Sequence, residues 1–268
     1  MKHTVKIISL LATLLSFAAC DKPETPVNGG EDNSPKERVI IYDVNGNENR
    51  QTLETEAEWD ALLDQLCDQA LRGSEVSFFN ISQTTYLHGS VKGVAKDNRT
   101  ITTTSREEMK TWMKEMERQG HTVKVTYDNN SGTWHGEAYA TAPTENISGT
   151  LIGTWHFNCM VVTHVDQNGN LLGSDLYVPE DGGGTMYYTF SDNGTVTMTM
   201  HGMDGTTATD SSTWSLSADG VLCSDLLPSG TCWNVNWITA NTMIISCADL
   251  NTTEGDLLYQ LQFDAASK

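Results

Sequence analysis

Positive charge is what this sequence has least of. Sixteen Lys and Arg stand against 35 Asp and Glu, a formal net charge of −19 over 268 residues, and after Lys124 neither Lys nor Arg recurs until the terminal Lys268. Such a chain has no footprint for a phosphate backbone, which excludes nucleic acid as a partner. The acids of the C-terminal half lack neighbouring cations, so the field there repels anionic ligands and leaves neutral or cationic ligands, or divalent ions at the surface, as the ones it admits. Long apolar runs are missing too. Residues 7–19 form the one candidate, and it is too short to span a bilayer. Signatures of chemistry are equally scarce: there is no nucleophile elbow, H-E-x-x-H pair, phosphate loop or closed EF-hand loop. The His residues are scattered singly and the six Cys contain no C-x-x-C, so nothing points to a zinc site. These absences give a non-enzymatic reading with no cofactor and no metal.

What is present begins at the N-terminus. Lys2 and Lys6 precede the apolar run, and Ala18-Ala19 closes it directly before Cys20. A basic start, a short apolar stretch and two small residues are the anatomy of a secretory signal over residues 1–19. The stretch Leu15-Ser16-Phe17-Ala18-Ala19-Cys20 resembles the lipobox of bacterial lipoproteins, with Phe17 where Leu or Val is usual. The resemblance implies cleavage before Cys20, acylation of its thiol, and attachment of the chain to a membrane through that lipid. The expected location is the outer membrane, facing the periplasm or the cell surface. Asp21 and Glu24 shortly after Cys20 resemble the export signals of Bacteroides-group lipoproteins. Residues 20–36 are rich in Pro, Gly, Asn and acids, with one large apolar residue, and read as a flexible tether.

Residues 37–144 read as an α+β unit. Arg38–Val44 is apolar and β-branched, as an opening strand should be. Thr55 with Glu58 forms a capping box, and Trp59, Leu62, Leu63, Leu66, Cys67 and Ala70 then recur at helical spacing. Cys67 lies on that stripe, which makes it a core residue. Residues 75–82 and 100–104 read as strands. A second box, Ser105 with Glu108, opens a helix whose Met109, Trp112, Met113 and Met116 share a face. Residues 121–127 and 133–140 complete the unit as a hairpin. The element order resembles a ferredoxin-like split βαβ module with an extra strand.

From residue 147 to 268 no helical period appears. Nine short segments (150–165, 171–178, 185–191, 195–203, 206–216, 221–223, 231–239, 241–248 and 256–263) are separated by turn signals such as Asn168-Gly169, Asn193-Gly194 and Asp204-Gly205. Val196, Met198 and Met200 interleave with Thr195, Thr197 and Thr199, giving one dry and one wet face. Eight or nine antiparallel strands of this kind need a covered face and managed edges, which an up-and-down barrel supplies, with a β-sandwich as the alternative. Gly153-Thr154-Trp155 resembles the G-x-W opening of lipocalin-like domains. The resemblance implies a barrel whose Trp closes one end, commonly under an Arg from a late strand, and whose cup takes small hydrophobic ligands. This half contains no Arg.

The residues with inward parity are Trp155, Phe157, Tyr188, Phe190, Met198, Met200, Trp214, Trp237 and Tyr259, a lining suited to a small neutral apolar ligand. The alternative is a structural or interaction module that shows residues 82–99 and 179–184 to a protein or glycan partner. Four Cys in an oxidising compartment suggest two disulfides, with three connectivities open. Cys223 and Cys232 flank one hairpin loop and form the first expected pair, which leaves Cys159 with Cys247. For the anchor, labelled fatty acid should enter the wild-type chain and fail to enter Cys20→Ala. Label in both, or in neither, would leave an exported chain without a lipid.

Overall fold

The computed structural model describes residues 38–81, 97–140, 147, 149–166, 171–228, 232–252 and 255–266. The expected signal (1–19), Cys20, the expected tether, residues 141–146, the expected Asn168-Gly169 turn and most of the segment 82–99 lie outside them.

The N-terminal unit opens with a hairpin. β1 (Arg38–Val44) pairs with β2 (Asn47–Leu53) across Asn45-Gly46, where φ is 53° and 85°. Two consecutive positive φ angles make the tight turn whose twist matches a hairpin, and Asn-Gly is the pair that tolerates them. β2 has no counterpart in the pattern of the sequence. Its residues, Asn-Glu-Asn-Arg-Gln-Thr-Leu, are almost all exposed, so its pairing rests on backbone hydrogen bonds and not on an apolar face.

Helix α1 (Glu56–Leu71) starts at the expected box, with Thr55 and Glu58 each capping the other's backbone. Helix α2 (Arg106–Arg118) has only half of its box. Ser105 accepts from the Glu108 backbone N–H, but the Glu108 carboxylate accepts instead from Thr103 Oγ1 at 2.5 Å. With β3 (Val76–Asn80), β4 (Arg99–Thr103), β5 (Thr122–Asp128) and β6 (Thr133–Tyr139), the sheet order is β2-β1-β3-β5-β6-β4. Every adjacent pair is antiparallel, so β2 and β3 run the same way around β1, and β4 and β5 the same way around β6. The expected split βαβ connection therefore occurs twice. The two units lie side by side and do not share strands, as the ferredoxin-like order would require. The hairpin at β2 accounts for this, because it gives the first helix its own parallel partner strands.

Both helices cover one face of the sheet. Ile40, Val76, Phe78, Val123 and Val125 meet the α1 stripe and Met109, Met113 and Met116 of α2. Gly136 is bare where the Trp112 ring rests; a Cβ there would lie 2.4 Å from that ring, so the close approach needs glycine. The opposite face is covered as well. Ile41, Phe79 and Ile81 form a separate buried cluster with Trp237 and Ile244 of the C-terminal half.

That half is one antiparallel sheet of nine strands: β7 (Gly153–Val165), β8 (Leu171–Tyr177), β9 (Thr185–Phe190), β10 (Thr195–His201), β11 (Thr207–Leu216), β12 (Val221–Ser224), β13 (Cys232–Ile238), β14 (Thr242–Thr252) and β15 (Gly255–Ala265). Each expected segment is a strand. β15 returns to pair with β7 from Ala265↔Trp155 to Asp256↔Val165, closing eight strands into a barrel. β8 stands outside the circuit. β7 pairs with β9 over its first residues and with β8 over its last, from Met160 to Val165.

Two bulges decide which residues face inward. In β13 the register slips between Val235 and Trp237, so the extra residue Asn236 turns Trp237 to the outer wall. In β7 the register against β15 passes from Gln262↔Cys159 to Phe263↔Phe157, so Asn158 is the extra residue and Cys159 also leaves the inner face. Trp237 is therefore not a lining residue, which corrects its expected role. It joins the two units: its indole donates to Glu48 Oε2 at 3.0 Å, and Thr239 and Thr242 hydroxyls donate to the same carboxylate at 2.5 and 2.7 Å. Thr122 adds a hydrogen bond to the Asn236 carbonyl. Each large apolar side chain in this junction contributes roughly 1.5–3 kcal/mol relative to exposure, and the Glu48 contacts fix its register. Glu48→Ala should strand three donors and lower stability by about 2–3 kcal/mol, or roughly 4–10 °C in thermal midpoint. An unchanged melt would remove Glu48 from the junction.

Candidate ligand site inside the barrel

One end of the barrel is shut by the chain that enters it. The Leu151 N–H donates to the Ile147 carbonyl at 2.8 Å, a helical turn whose two side chains are fully buried. Gly153 follows with φ of 144°, a conformation that L side chains rarely adopt, so the Gly of Gly153-Thr154-Trp155 is needed to pass from turn to strand. Trp155 then lies across the barrel end, with its Nε1–H donating to the Leu151 carbonyl at 2.9 Å. The upstream turn thus makes the closing contact without an Arg.

Beyond Trp155 the interior is aromatic and aliphatic. Phe157, Tyr188 and Phe263 stand 5.4–6.4 Å apart as one cluster, and Phe190 meets Trp214 edge-on at 5.9 Å. Met198 is buried among them, while Met200, Trp214 and Tyr259 are half-buried against the same core. Eight of the nine expected inward residues therefore face the interior, with Trp237 the exception. Tyr177, Met200, Cys247, Leu257 and Tyr259 are only half-buried, and they cluster away from Trp155. The register of β15 on β7 puts Leu257 opposite His164 while Ala265 meets Trp155, so this looser end is the mouth. Leu227 folds into the core there and the Leu226 carbonyl accepts from Tyr188 Oη at 3.3 Å. Burial holds the Tyr188 phenol far above its ordinary range, so it stays neutral.

Polar groups inside are few, and one has no partner. Of the four Trp in this half, Trp155, Trp214 and Trp237 donate to Leu151 O, Ser191 O and Glu48. Trp233, fully buried, packs edge-on to Tyr259 at 6.2 Å, and its Nε1 meets no acceptor among the described residues. A buried donor left unpaired costs about 1–3 kcal/mol, and native structures contain few of them. Trp233 is not among the expected lining residues, although it alternates with Asn234 and shares the parity of Val235. Its missing partner is a three-dimensional fact with no mark in the sequence.

Cys223 and Cys232 form a disulfide across the β12–β13 pair, as expected. The second expected pair is not formed: Cys159 and Cys247 are not joined to each other by a disulfide. β15 runs between their strands, and the Asn158 bulge turns Cys159 outward toward Arg50, so the two cannot meet. Burial raises the Cys159 and Cys67 thiols to about 11, which makes both poor nucleophiles at neutral pH. No three His, Cys, Asp or Glu side chains among the described residues could hold a metal ion. Among the described residues Glu117 is the one deeply buried acid. Desolvation raises its pKa, and Asn80 Nδ2 donates to it at 2.5 Å beside Arg38 at 3.6 Å, a structural pairing in the N-terminal unit.

Residues 151–246 match the lipocalin-like domain family. The match starts at the closing turn and runs into β14, while β15, which seals this lipocalin-like barrel, lies beyond it. No curated protein matches the chain. Replacing both Cys223 and Cys232 with Ser should lower stability by about 2–3 kcal/mol on the chain-entropy model for so short a loop. A peptide map without reductant should show the Cys223–Cys232 disulfide, and a linked Cys159–Cys247 peptide would contradict the separation of those two side chains.

Proposed function

We propose that this chain is a non-enzymatic binding protein whose lipocalin-like barrel takes a small neutral apolar ligand, and that the lipid on Cys20 holds it at the outer membrane. The observation that carries the reading is the inward set itself. Aromatic and Met side chains line a barrel with one end closed by Trp155 and a looser end ringed by half-buried Tyr177, Met200 and Tyr259. No cation occurs between Lys124 and Lys268 to neutralise an anionic ligand. Burial of apolar ligand surface supplies the affinity, at roughly 25 cal/mol per Å² before the cost of immobilisation.

A second reading has its own support. Leu172 and Leu176 on β8 and Met203 in the β10–β11 turn are 63–84 % exposed. Met203 lies directly against Gly183 of the 179–184 loop. Apolar side chains exposed in this way suit a protein or glycan partner. Native mass spectrometry with a panel of apolar probes separates the two. One probe per chain is the expected result, and no uptake by any probe would favour the partner reading.

A further inference from the structure

The barrel interior has a polar requirement that a purely apolar ligand leaves unmet. Trp233 enters from β13 just after Cys232, is wholly buried, and its indole N–H meets no acceptor among the described residues. The other three indoles of this half are all satisfied, so the fold routinely finds acceptors for Trp and does not find one here. Trp233 lies edge-on against Tyr259, which is half-buried at the looser end of the barrel.

A ligand that meets this donor needs one hydrogen-bond acceptor. It cannot be a carboxylate, because a buried anion would face a single neutral N–H and no Lys or Arg, an arrangement in which the charge loses its hydration without compensation. An ammonium offers no acceptor at all. We infer that the ligand is a neutral, elongated apolar molecule bearing one carbonyl or ether-type oxygen, which accepts a hydrogen bond from Trp233 Nε1 while its hydrocarbon part packs among Phe157, Tyr188, Met198 and Phe263. This rests on the proposed binding function and narrows its ligand class.

Three probes of equal chain length test it on the full chain: 2-undecanone, undecane and undecanoate at pH 8. Titration of wild type and Trp233→Phe gives a cycle in which the loss of hydrophobic surface affects ketone and alkane alike. The variant should weaken 2-undecanone about tenfold more than undecane, the worth of one hydrogen bond to an otherwise orphaned donor. Undecanoate should bind wild type at least tenfold more weakly than the ketone. If the variant does not fold, the wild-type protein still reports. In a proton–nitrogen correlation spectrum, 2-undecanone should move the Trp233 indole N–H downfield and undecane should not. Equal loss for ketone and alkane, an indole signal that ignores the ketone, or undecanoate binding as tightly as the ketone would overturn the inference while leaving a ligand-binding barrel. Failure of all three probes to bind would overturn both.

Discussion

A single extra residue in β13 determines what the barrel wall does on each side. Asn236 is bulged, so Trp233 and Val235 face inward while Trp237, four residues after Trp233, faces outward. Without the bulge, strict alternation would place both tryptophans in the interior and leave the N-terminal sheet without its main apolar contact. With it, one indole becomes an unpaired donor inside the barrel and the other donates to Glu48 across the junction. The Asn158 bulge does the same for β7, keeping Trp155 and Phe157 inside and turning Cys159 toward Arg50. The barrel's inner lining and the junction are thus set by two local changes of strand phase.

The junction explains why the middle of each unit is so apolar. Ile40-Ile41 in β1, Phe78-Phe79 in β3 and Met243-Ile244-Ile245 in β14 are consecutive buried residues in antiparallel strands. An antiparallel strand with one wet face alternates, and these do not, because helices or barrel interior cover one side and the partner unit covers the other. The N-terminal unit therefore acts as the support of the barrel wall at β13 and β14, opposite in role to the mouth, where side chains are loosely packed.

Much of this was legible. Turn dipeptides and period-two alternation located all nine C-terminal strands, capping residues located both helices, and Gly153-Thr154-Trp155 pointed to the closed barrel end. The Cys223–Cys232 pair followed from its short hairpin loop. What escaped did so for physical reasons. β2 pairs through its backbone and carries no apolar face, so it leaves no periodic trace. Bulges are pairing events between strands, so alternation alone extended the inward set to Trp237 and joined Cys159 to Cys247. The apolar doublets were visible as residues, but their meaning depends on a second surface that no single segment encodes. The orphaned Trp233 donor is likewise a property of neighbours drawn from several strands.

Whether the barrel interior holds a neutral ligand at Trp233 is decided by a crystal structure of the full chain grown with 2-undecanone. Continuous density inside the barrel, with a ligand oxygen within hydrogen-bonding distance of Trp233 Nε1, is the expected result. A dry interior closed by its own side chains, or a lone water on that indole, would contradict it.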